Sequence, residues 1–115
     1  MYARVAKFSG GDPDRIDEVI DGVRDMVASG EQSLPGATRF MMLVDRANAS
    51  ALGVTFFESE PMLRDAEPMF EAMTPPVPDA GGGRESVASY EIALDEALAG
   101  APEVSILDAA EPGMR

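Results

Sequence analysis

The chain has 115 residues, which suits one domain, and carries a net charge of -12. It has no cysteine, so disulfides, thiolate catalysis and cysteine-based metal sites are excluded; it has no histidine, so the commonest general base and metal ligand are missing too. The strong negative charge repels phosphate backbones and argues against nucleic acid, no apolar run approaches the ~20 residues of a membrane span, and MYARVAKFSG has no signal pattern; a soluble cytoplasmic protein without membrane, metal or cofactor is expected.

In chain order, Tyr2 to Phe8 reads as a first strand, with Tyr2, Ala6 and Phe8 alternating against Ala3, Val5 and Lys7. Gly10-Gly11 ends it. Asp12-Pro13 starts a helix, Asp as N-cap and Pro in the first turn. Ile16, Val19, Ile20, Val23, Met26 and Val27 recur at the spacing of one helical face, and Gly30 is a C-terminal stop. After a loop ending in Leu34-Pro35-Gly36, Phe40 to Val44 and Leu52 to Phe57 read as two strands joined by a polar turn containing Asp45, Asn48 and Ser50. Neither strand alternates cleanly between apolar and polar, so both faces of this hairpin need cover.

Ser59 then caps a second helix, with Glu60 and Pro61 in its first turn and Met62, Leu63, Ala66, Met69, Phe70 and Met73 as its apolar stripe. Pro68 predicts a kink or break near Glu67 and a separate short helix from Pro68 to Met73. Thr74 to Gly83 reads as a mobile loop, its Gly81-Gly82-Gly83 run a linker. Glu85 to Ala93 reads as a fourth strand. Beyond it, Leu94, Ala97 and Leu98 suggest a helical turn, Val104 to Leu107 a short added strand, and the end is expected to fray.

The order βαββαβ is that of the ferredoxin-like split unit. The fold class expected is α+β: a four-stranded antiparallel sheet with both helices on one face, formed by residues 1–93, with 94–115 as a C-terminal extension. The other sheet face has no cover within the unit. A second copy would supply it, so a homodimer with two sheets closing a barrel is expected; the alternative is a monomer whose C-terminal tail covers the patch.

The candidate site residues are Lys7, Phe57, Met62, Ala66, Met69, Phe70 and Tyr90, taken as the walls of a pocket for a small apolar ligand between the sheet and the second helix. A desolvated Lys7 would serve as a base or an anion anchor; the alternative is a lysine at the wet end of its strand. The Met and Phe side chains suit an adaptable apolar pocket; the alternative is ordinary core filling. Arg39, Arg46 and Arg64 would suit an acidic ligand or pair with surface carboxylates. Asp12, Asp14 and Asp17 match no metal loop.

The run LVDRANASALGVTFFESEPMLR (Leu43 to Arg64), set after an acidic amphipathic helix, resembles the small dimeric α/β-barrel proteins of the antibiotic biosynthesis monooxygenase type. The resemblance covers Ala3 to Ala93 and is greatest to members without an assigned activity. It implies the ferredoxin-like fold and dimerisation. It does not imply one activity, because these proteins include cofactor-free oxygenases, haem-degrading enzymes, isomerases and ligand binders. Haem-degrading members use a histidine ligand late in the second helix, a tryptophan before it and an asparagine on the first strand. Here those positions offer no histidine, Ala66 near the tryptophan position, and Lys7 on the first strand, which speaks against haem degradation by that mechanism. Members that oxidise quinols without a cofactor use Asn, Trp, Tyr and Arg around a pocket. This chain has one Asn, Asn48 in the hairpin turn, and no Trp, but keeps Tyr2, Tyr90 and several arginines. The expected function is therefore binding of a small apolar or aromatic molecule, with a cofactor-independent oxygenase activity as its catalytic version; the alternative is a non-catalytic dimeric module for assembly or stress response.

Overall fold

Alternating side chains make Tyr2–Ser9 an extended strand, β1. The computed structural model describes residues 1–30, 34–73, 75, 77 and 80–101. Asp12 caps a 3-10 turn over Pro13–Arg15, its carboxylate accepting the Asp14 N–H at 2.9 Å. The turn runs into α1, Ile16–Ser29, which stops where Gly30 takes φ 70°, the left-handed conformation that glycine adopts without strain. β2 (Ala37–Asp45) and β3 (Ser50–Phe57) form the hairpin. Ser59 caps α2 (Glu60–Ala72) by accepting the Met62 N–H, and β4 (Gly83–Glu91) follows.

The sheet order is β2-β3-β1-β4 and every neighbouring pair is antiparallel. This is the ferredoxin-like α+β fold expected from the element order. Two register shifts occur, one between Lys7 and Phe8 against β4 and one between Ala37 and Arg39 against β3.

The core sits where α2 meets the sheet. Phe57 is fully buried and packs with Leu63 and Ala66, while Tyr2, Leu34, Ala37 and Phe70 close around them. The rings of Phe57 and Phe70 meet edge to face, centroids 6.4 Å apart. Burying a Phe side chain contributes about 1.5–3 kcal/mol. α1 is held more loosely: Ile16 is its one buried residue and Val27 stays 51% exposed.

Three expectations need correction. α2 does not break at Pro68 but runs unbroken through it. Pro68 and Arg64, four residues before it, are both exposed, so the carbonyl that loses its donor faces water. The Thr74 to Gly83 loop is anchored at its far end: Ala80 is buried and its carbonyl accepts the Asp12 N–H at 2.9 Å. Gly82 there is no mere linker, since at its φ of 71° a Cβ would lie 2.1 Å from the Ser9 carbonyl oxygen. Leu94 to Leu98 forms no helical turn. The strand expected at Val104 to Leu107 lies outside the described residues.

Candidate functional site

The sheet offers two faces with different chemistry. On the helix-facing side, Ser89, Arg4, Thr55 and Phe40 form one row across β4, β1, β3 and β2. Arg4 is the charged member of this row and is 4% exposed. Its Nε donates to Glu67 Oε1 of α2 at 2.5 Å, and its guanidinium lies 3.7 Å from the Phe70 ring centroid. Thr55 beside it is equally buried. Arg4 thus clamps α2 onto the central strand, with its charge met by one carboxylate and one aromatic face.

Under α1 the same face is less filled. A cavity of about 20 Å³ between Ile16, Val19, Met42, Val44 and Ala51 has room for a single water. Farther along β2, the Phe40 ring lies over Gly53, where a Cβ would stand 3.6 Å from it. Phe40 stays 37% exposed although it faces the helices. The α1 side therefore has apolar surface that the helix does not fully cover.

The opposite face carries Ala3, Val5 and Lys7 of β1, Leu52, Val54 and Phe56 of β3, Arg39, Met41 and Leu43 of β2, and Ala88 and Tyr90 of β4. No helix covers it. Leu43 is 46% and Tyr90 57% exposed. An open groove of about 340 Å³ runs past Lys7, Leu43 and Leu52. Lys7 Nζ lies 3.4 Å from Glu85 Oε2, with both side chains half exposed.

These positions divide the residues singled out from the sequence. Phe57, Ala66 and Phe70 come together in the packed core under α2. Met62 and Met69 belong to α2 but are largely exposed; the Met62 sulfur packs on Gly36, whose φ of 84° leaves no room there for a Cβ. Lys7 and Tyr90 stand on the opposite face of the sheet. Lys7 was expected to face the second helix; strand alternation directs it away, because Arg4, three residues earlier, is the residue that meets α2. Among the described residues no group of three or more acidic side chains is placed to hold a metal ion, and no helix is long and apolar enough to cross a membrane.

Two residues were not singled out. Arg4 was legible in principle: it falls on the Tyr2, Ala6, Phe8 side of β1, and an arginine amid an apolar strand face signals a buried ion pair. Phe40 gave no such signal, because its exposure depends on how closely α1 packs.

The hairpin turn holds a carboxylate, Asp45, in a local hydrogen-bond network. Asp45 accepts from the Asn48 side chain at 2.7 Å and from its backbone N–H at 3.3 Å. These bonds favour the carboxylate and hold the Asp45 pKa below its usual 3.8.

No protein-family model and no curated protein matches the chain. Among solved structures, it is similar to the haem-degrader MhuD of Mycobacterium tuberculosis, a structure with two haems bound in its active site (TM-score 0.63, 19% identity, covering 84% of this chain and 100% of that one). It is also similar to an antibiotic biosynthesis monooxygenase-like protein of Chloroflexus aurantiacus J-10-fl (TM-score 0.54, 13% identity, 84% and 96% covered). A conserved protein of Methanosarcina mazei Go1 superposes with the same TM-score of 0.54 at 13% identity, over 77% of this chain and 89% of that one. At such identities the likeness is one of fold: the chain shares the ferredoxin-like α+β fold of antibiotic biosynthesis monooxygenase-like proteins.

Proposed function

We propose that this protein is a cytoplasmic homodimer that binds a small apolar or aromatic molecule on the α1 side of its helix-facing sheet surface. The observation that supports this is Phe40. It is an aromatic ring on the inner face, laid over a glycine and left 37% exposed by the helix that ought to cover it. Apolar and aromatic side chains line most small-molecule sites. Phe57 and Phe70 pack together under α2, which favours the α1 side for the ligand. Dimerisation is supported by the exposed Leu43 and Tyr90 on the opposite face, which a second copy would bury. Haem is a poor candidate, since the chain has no histidine to ligate it.

A thermal-shift screen against aromatic polyketides, quinones and fatty acids tests the ligand. A bound ligand raises the melting temperature with saturation, and Phe40→Ala removes that rise without removing the fold. No rise with any of the three classes overturns ligand binding. It would leave the second reading, a non-catalytic dimeric module, which the closed Phe57 core favours.

A further inference from the structure

After β4 the chain leaves the sheet. The Ile92 N–H donates to the Met1 carbonyl at 2.9 Å, the last tie to the sheet's hydrogen bonds. Residues 93–101 are all exposed and form no helix or strand. Leu94 and Leu98 are 79% and 81% exposed, the most exposed large apolar side chains among the described residues. The arm therefore covers nothing on its own chain. At the same time, Leu43 and Tyr90 on the open sheet face of that chain stay 46% and 57% exposed.

The charges point the same way. Arg4, Lys7, Arg15, Arg24, Arg46, Arg64 and Arg84 each have an ion-pair partner. Arg39 has none, the one such side-chain cation among the described residues of a chain with 21 acids. It is exposed and sits on the open face, in one row with Phe56, Ala3 and Tyr90. In an extended segment laid on a sheet, alternation puts Leu94, Glu96 and Leu98 on one side. That is two apolar anchors with a carboxylate between them, the complement of an arginine in an apolar row. The exposure of Leu94 and Leu98 shows that the chain's own arm does not lie along this row.

We propose that residues 92–101 of each copy form an arm that clasps the open sheet face of the other, Leu94 and Leu98 lying on its apolar side chains and Glu96 pairing with Arg39. The clasp rests on the homodimer proposed above and adds which segment closes it.

The absence of native cysteine gives a clean test. An Arg39→Cys/Glu96→Cys double variant of the full chain, treated at micromolar concentration with a bismaleimide long enough to span an arginine–glutamate ion pair, gives a covalent dimer on a denaturing gel. A link within one chain, or no link, overturns the clasp. In parallel, Arg39→Glu weakens dimerisation about tenfold by setting like charges together, and adding Glu96→Arg restores it; failure of the restoration also overturns the clasp. Sedimentation of the wild-type chain separates the two proposals. A wild-type dimer that fails both variant tests keeps the homodimer and loses the arm, whereas a wild-type monomer removes both.

Discussion

Arg4 and Glu67 are unequal partners in one ion pair. The arginine side chain is 4% exposed and the glutamate 36%. Removing the acid strands a guanidinium with no water to turn to; removing the arginine leaves a carboxylate that can hydrate. Glu67→Ala should therefore cost about 3 kcal/mol and Arg4→Met only about 1 kcal/mol. Urea unfolding of the two variants measures the difference, and equal losses would contradict the asymmetry. The same pair marks the limit of reading residues singly. Lys7, the candidate base or anion anchor on β1, has a side chain that meets Glu85 in the open. Arg4, one of eight arginines, carries the buried charge. Which of two basic residues on a strand is buried depends on which face the helices take, and β1 alone does not say.

At the scale of elements, short-range chemistry was sound guidance. Asp12 and Ser59 cap where capping residues should, and Gly30 ends α1 with positive φ. The hairpin turn is closed by Asp45 and Asn48, as its composition implied. Because these bonds hold the Asp45 pKa below its unfolded value, their stabilisation is fully present above the ordinary carboxylate range. It is lost as pH falls through the lowered folded value. Asn48→Ala should return the Asp45 titration, followed by NMR of the carboxyl carbon, upward toward 3.8; an unmoved Asp45 would refute the assigned cause. Pro68 is where local chemistry misled. A proline breaks a helix when its orphaned carbonyl has no substitute partner, and on the exposed side of α2 water is that partner.

At the scale of the whole molecule, Leu43 bears on the homodimer proposed above. Leu43 is 46% exposed and lies beside Leu52 and Lys7. A carboxylate placed there would be buried without a partner in a dimer but remain solvated in a monomer. Leu43→Glu should thus turn a dimer into a folded monomer at micromolar concentration. Sedimentation reads the mass and circular dichroism the fold; an intact dimer would show that this face is not the interface. The expectation that both faces need cover came from the lack of a clean apolar/polar alternation in Phe40 to Val44 and Leu52 to Phe57. The order βαββαβ, the capping and the ferredoxin-like topology were likewise determined by sequence, because periodicity, turn chemistry and handedness act over neighbouring residues. Tertiary structure alone decided that Lys7 and Phe57 lie on opposite faces, that the α2 side is filled while Phe40 is left open under α1, and that Arg39 has no partner. Those facts depend on how far each helix stands from the sheet, a distance set by the summed packing of side chains remote from one another in the chain.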